Sequence, residues 1–226
     1  MVRGVLFDID DTLVDHAGAS RAAIVGQLRD VGLPHGASDA DRWRTLDERH
    51  FPRFLAGELG FQEQRRARVR DMVDDPDLDD GAADAWFAAY NERFESGWAC
   101  FDDVLAALAG LADRGLPVGI VTNLDSQRQR HKLERVGLGG RFDVLVGLDT
   151  LGVGKPDAAV FRHACDLLGT EPAETAFVGD RLEHDALGAR DAGLLAVWLD
   201  RNGAGHDVPE GVVRVRSLAE LEEVLA

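Results

Sequence analysis

The sequence predicts an α/β fold, a doubly wound, Rossmann-like parallel sheet with an all-helical insertion. After residue 97, short apolar runs alternate with stretches at helical spacing, the signature of βαβ units. The first apolar run, Val2 to Ile9, is rich in β-branched and aromatic residues and reads as a buried strand. Between the two, from about His16 to Phe94, the spacing is helical and no convincing strand appears. The expected division is a Rossmann-like core over 1–15 and 97–226 and a helical domain over 16–96.

Within the insertion, Ile24, Leu28 and Val31 share one helical face, and Ser38 is the expected N-cap of the next helix. Trp43, Leu46, His50 and Phe54 continue its apolar stripe. A third helix over 61–73 reads as basic on its exposed side, and a fourth over 81–94 carries Trp86, Phe87 and Tyr90 as core. Trp43 and Trp98 are expected core as well. After Gly97, Val104, Leu105, Leu108 and Leu111 form an amphipathic helix. Strands are then expected at 116–121, 142–148, 176–179, 195–199 and, weakly, 212–215. Helices between them run over 128–136, 158–168 and 185–192, and Ser217 caps a last one. The acidic segment Asp74 to Asp80 reads as a solvated loop.

Composition narrows the function. With 45% apolar and 29% charged residues the chain is of ordinary globular type. No apolar run approaches the roughly 20 residues that span a bilayer. The apolar N-terminal run holds Asp8 and Asp10, which a signal peptide would not, so a cytoplasmic location is expected. A formal charge of −16 repels nucleic acids and anionic membranes, so neither is an expected partner. Cys100 and Cys165 lack ligand spacing and read as reduced thiols. Of 25 basic residues, only Lys132 and Lys155 are lysines.

Four expected strand ends carry polar residues, and in open parallel sheets ligands bind at those ends. The first strand closes in Asp8-Ile9-Asp10-Asp11-Thr12; two carboxylates so close cost energy unless a cation or a reaction requires them. Alternation along an extended chain would point Asp8 and Asp10 the same way. The second ends in Thr122 and Asn123, a hydroxyl and an amide. Gly154-Lys155-Pro156 precedes a helix. The fourth ends in Gly179-Asp180, with Asp185 expected to open the next helix. Asp11 and Asp15 read as turn or solvated residues, His16 as a local surface or packing residue and Asp125 as a helix cap.

This set resembles the four motifs of the haloacid dehalogenase-like superfamily. Asp8, Asp10 and Thr12 match its DxDxT motif, Thr122 its hydroxyl motif, Lys155 its lysine motif, and Asp180 with Asp185 its acidic motif. The resemblance spans essentially the whole chain, and the insertion looks like the family's helical cap. It implies a phosphatase in which Asp8 is the nucleophile and Asp10 the general acid and base. It implies Mg2+ held by Asp8, Asp180 and the carbonyl of Asp10, with Asp185 bound directly or through water. Thr122 and Asn123 would bind the phosphoryl group, and Lys155 would balance its charge. The implied substrate is a small phosphorylated metabolite, and the chain would act as a monomer or homodimer. Arg65, Arg66 and Arg70 form a basic run in an acidic chain, and Arg66 is a candidate for the substrate's second anionic group. A haloacid dehalogenase and a phosphomutase share the fold and nucleophile, but halide leaves without a proton, so a dehalogenase does not need Asp10. A non-catalytic phospho-ligand module is the remaining alternative, and the presence of every motif residue argues against it.

Overall fold

The computed structural model describes residues 1–203 and 207–225. The chain divides into two compact units, Met1–Asp15 with Ala99–Ala226, and His16–Trp98. The return to the first unit falls between Trp98 and Ala99, two residues later than the composition change at Gly97 indicates.

The first unit is built on a six-stranded, all-parallel sheet in the order β3-β2-β1-β4-β5-β6. The strands are β1 Gly4–Phe7, β2 Val118–Val121, β3 Val144–Val146, β4 Thr175–Gly179, β5 Leu195–Leu199 and β6 Val212–Val215. From β1 the chain winds outward through β2 to β3; β4 then returns to the other side of β1 and winds the opposite way. That reversal makes the carboxyl ends of β1 and β4 the topological switch point, where such sheets bind ligands. Gly4–Phe7 and Thr175–Gly179 are buried throughout, which explains their continuous apolar character. One face of the sheet packs Leu6, Val121, Phe177 and Trp198 against Phe161, Ala164 and Ala189. Phe161 meets Phe177 edge-on, with centroids 4.9 Å apart. Burying each such ring contributes about 2–3 kcal/mol.

The second unit holds four helices, α1 His16–Asp30, α2 Ala37–Leu55, α3 Phe61–Val73 and α4 Asp80–Ser96. Its centre is Trp43, fully buried, with Tyr90 edge-on at 4.8 Å, Trp86 at 5.6 Å and the Arg68 guanidinium over its ring at 4.1 Å. The third helix is therefore not basic on an exposed face alone, because Arg68 is buried and paired with Asp47 at 2.5 Å. Trp86 is half-buried rather than core. Ser38 is not the N-cap of α2: the helix starts at Ala37 behind Gly36, and Asp39 supplies negative charge in the first turn.

The remaining helices belong to the first unit: α5 Val104–Asp113, α6 Ser126–Arg135, α7 Leu148–Leu151, α8 Ala158–Leu168, α9 Gly188–Ala192 and α10 Leu221–Val224. Asp125 caps α6 by accepting from the Arg128 N–H, and Ser217 caps the 3-10 turn before α10. β3 stops at Val146, and the expected strand end at Leu148 is instead the start of α7. Gly147, itself extended, is the N-cap of α7, and its N–H donates to the Thr150 hydroxyl at 3.1 Å. No helix among the described residues is long and apolar enough to cross a membrane.

Candidate active site

The first carboxylate follows directly from β1. The Asp8 N–H donates to Val178 O at 2.9 Å, so the β1–β4 ladder extends to it and fixes its place between the strand ends. Beyond Asp8 the chain leaves the ladder and turns. Asp11 adopts φ 62°, and the N–H groups of Leu13 and Val14 both return to Ile9 O. A non-glycine residue in that left-handed region costs about 1 kcal/mol and is offset by the hydrogen bonds of the turn. Asp10 stands inside this turn, so strand alternation does not govern it, and Asp8 and Asp10 take different partners.

Asp8 faces Lys155, whose Nζ donates to Asp8 Oδ1 at 2.6 Å. The same Nζ is 2.6 Å from Asp185 Oδ1 and lies over the Phe177 ring at 5.2 Å. Lys155 is buried, and burial opposes its charge, but Asp185 and Asp8 outweigh that and hold the ammonium above its ordinary pKa. Its backbone is held too. Asn123 Oδ1 accepts the Lys155 N–H at 2.6 Å, and Asn123 Nδ2 donates to Lys155 O at 2.8 Å. The Asn123 side chain is thus a clamp on the lysine segment, with both its polar atoms engaged there. A Cβ on Gly154 would come 2.5 Å from Asn123 Oδ1, so only glycine admits this clamp.

Asp180 directly follows β4, and the Trp198 indole N–H fixes its carbonyl at 2.9 Å. Asp185 does not open a helix. It lies within a π-helical turn, Leu182–Leu187, where its Oδ2 accepts the Arg181 N–H at 2.9 Å. The wider turn carries the carboxylate back against β4, where a Cβ on Gly179 would come 2.4 Å from Asp185 Oδ2. Ligand atoms of Asp8, Asp180 and Asp185 all lie within 4.8 Å of one another.

Two residues of the site went unread in the sequence. Lys132, on α6, is buried and its ammonium pairs with Asp10 Oδ1. Gln129, one turn earlier and fully buried, donates through Nε2 to Thr122 Oγ1 at 3.0 Å and to Asp10 Oδ2 at 3.3 Å. The available signal was the scarcity of lysine: both lysines of the chain meet motif carboxylates. Arg66 departs from expectation. Its Nε, Nη1 and Nη2 donate to Asp84 and Asp80 at 2.6–2.7 Å, so its charge is spent inside the helical unit. Arg70 likewise pairs with Asp80, and Arg65 lies over the Phe61 and Phe87 rings at 4.1 and 4.7 Å.

A sequence profile of the haloacid dehalogenase-like hydrolases matches residues 2–193. The chain belongs to this family. The hydrolase is 31% identical over 206 residues to glyceraldehyde 3-phosphate phosphatase of Methanopyrus kandleri, covering 89% of this chain and 85% of that one. It is 29% identical to phosphoserine phosphatase of Thermus thermophilus, over 97% and 96% of the two chains. The crystal structure of the HAD-hydrolase YfnB from Bacillus subtilis, bound to magnesium, superposes with a TM-score of 0.81 at 24% identity. The match covers 99% of this chain and 98% of that one, which shows a common fold.

The hydrolase also has a donor set suited to a hard divalent cation. Four carboxylates, Asp8, Asp10, Asp180 and Asp185, face two ammonium groups, Lys132 and Lys155, leaving two negative charges uncompensated when all are ionised. Asp180 Oδ1 is buried and accepts no hydrogen bond. Burial, reinforced by Asp8 and Asp185, pushes the Asp180 carboxyl up to about 9. Burial pushes Asp8 up to about 7; Asp185 and Asp10 reinforce the rise and Lys155 opposes it. Carboxylates so placed fit an oxygen-liganded ion such as Mg2+.

Proposed function

We propose that this hydrolase is a Mg2+-dependent phosphatase that acts on a small phosphomonoester through an aspartyl phosphate on Asp8. One observation carries the choice of phosphoryl transfer: a second acid, Asp10, stands two residues after the nucleophile, held at both carboxylate oxygens by Lys132 and Gln129. Departure of an alkoxide needs a proton donor, whereas departure of a halide does not. The phosphatase activities of the relatives named above support the same reading.

In the first step an Asp8 carboxylate oxygen forms a bond to phosphorus as the bond from phosphorus to the ester oxygen breaks, and Asp10 gives its proton to the departing oxygen. In the second, Asp10 takes a proton from water, whose oxygen bonds to phosphorus while the Asp8 carboxylate leaves. Inorganic phosphate is released and Asp10 is again protonated. Lys155 offsets charge on Asp8 and the phosphoryl oxygens, and Thr122 offers its hydroxyl to the phosphoryl group. Asn123 acts by holding the Lys155 backbone. Asp8 and Asp180 are the side chains that would hold Mg2+, with the Asp10 carbonyl. Asp185 has both oxygens engaged and would reach the ion through water. The bound ion supplies positive charge that draws electrons from phosphorus and lets an anionic ester approach.

The motif residues handle phosphoryl, metal and water alone, so the helical unit His16–Trp98 is assigned the role of cap and substrate selector. The test is a screen of phosphorylated metabolites with Mg2+, reading released phosphate, beside 2-chloropropionate, reading chloride. Phosphate release without chloride release supports this reading; the reverse makes the enzyme a dehalogenase.

A further inference from the structure

We propose that Gln129 and Lys132 are positioning residues that lock the Asp10 carboxylate in register with the phosphoryl site. The inference rests on the reading of Asp10 as acid and base and goes beyond it to residues outside the four motifs. Three observations carry it. The two residues are three apart on α6, so they share one helical face. That face is buried, with Gln129 0% and Lys132 1% exposed, in a helix otherwise rich in exposed polar residues. A buried ammonium is costly unless it meets a specific partner, and this one meets Asp10.

Between them the two side chains occupy both oxygens of Asp10, Lys132 on Oδ1 and Gln129 on Oδ2. A single contact would leave the carboxylate free to swing about its remaining torsion; two contacts from one rigid helix remove that freedom. Gln129 adds a cross-link, because the same Nε2 also donates to Thr122 Oγ1. Gln129 Oε1 accepts no hydrogen bond, so the amide is oriented by its donor contacts alone. Asp10 lies beyond the β1 ladder, in a tight turn that bridges back to Val14, so its side chain is placed by that turn and by the α6 contacts rather than by the sheet. A proton donor must stand within about 2.6–3.2 Å of the departing oxygen, and a group displaced by an ångström gives up most of that effect.

The test compares Gln129→Leu, Lys132→Met and Asp10→Asn on two substrates, an alkyl phosphate and nitrophenyl phosphate. The readout is kcat/KM, which reports steps through leaving-group departure. Thermal unfolding of each variant checks that it is folded. Gln129→Leu keeps both the lysine charge and the packed volume, so it remains informative if Lys132→Met does not fold. The expected result for both clamp variants is a loss of about 10–100-fold on the alkyl ester and only a few-fold on the nitrophenyl ester. Equal losses on the two esters, or no loss on either, overturn the clamp. Asp10→Asn separates the two claims. If it is selective and the clamp variants are not, the clamp alone fails. If Asp10→Asn itself loses equally on both, the acid role of Asp10 fails and the clamp falls with it.

Discussion

Lys155 Nζ stands 2.6 Å from Asp8 Oδ1, and the same ammonium reaches Asp185. One compact cation thus joins the end of β1 to the π-helical turn after β4. A planar guanidinium does not fit a buried point contact between two carboxylates. Lys155→Arg is expected to keep the charge yet lose about 100–1000-fold in kcat, measured with saturating substrate and Mg2+. Activity within a few-fold of the parent would mean that charge alone, not its placement, is what Lys155 supplies.

Chelator should abolish turnover and Mg2+ restore it, because three carboxyl groups, Asp8, Asp180 and Asp185, share one ammonium, Lys155, and need a further cation to ionise together. Binding to the folded state alone also raises the unfolding temperature, by an amount that grows with the logarithm of ion concentration. The shift should disappear in Asp180→Ala. A Tm indifferent to Mg2+ in the parent protein would count against the site.

Asp103 is expected to tie the Asp8–Thr12 loop to the rest of the core. Its oxygens take Arg201 Nη1 and Nη2 at 2.9 Å, the Ser217 hydroxyl at 2.7 Å and the Leu218 N–H at 2.9 Å, and Arg201 Nη2 donates onward to Thr12 O at 2.8 Å. Burial raises the Asp103 pKa, but Arg201, Ser217 and Leu218 outweigh it, and the carboxyl is held below the ordinary range. A depressed carboxylate contributes stability above its unfolded pKa of about 4 and loses it as pH falls through the folded value. Asp103→Ala should therefore cost about 2 kcal/mol at pH 7, and its difference from the parent should shrink below about pH 4 in denaturant titrations. A difference constant across that range would show that the charge is not what stabilises.

Arg66→Ala is expected to lower Tm while leaving kcat/KM for the physiological substrate within about twofold of the parent. The reason is the Asp80 and Asp84 pairing, which holds the Asp84 carboxyl down at about 2. A selective rise in KM for that substrate would return Arg66 to the binding site.

Much of this architecture is legible in the residues. The alternation after Gly97 reads as a parallel sheet because β1 and β4 are buried on both faces and stay apolar throughout. Asp8 and Asp180 are legible because carboxylates at such strand ends have no packing role. Gln129 is not, since a helix with mostly polar residues gives no sign of which few face inward, and Lys132 shows only through the scarcity of lysine. Asp185 is misplaced for a similar reason, because widening of one helical turn leaves no periodic trace over six residues. Arg66 misleads because a basic run is visible along the chain, whereas its partners lie 14 and 18 residues away.

The central claim is that Asp8 is phosphorylated during turnover. Rapid quenching of the enzyme with substrate and Mg2+, followed by borohydride, reduces an acyl phosphate to an alcohol, which peptide mass spectrometry can place. The account predicts conversion of Asp8 to homoserine in the parent enzyme, dependent on substrate and absent from Asp8→Asn, which should be folded and inactive. Phosphate release at the parent rate by Asp8→Asn, or a reduced carboxyl found elsewhere in the chain, would contradict it.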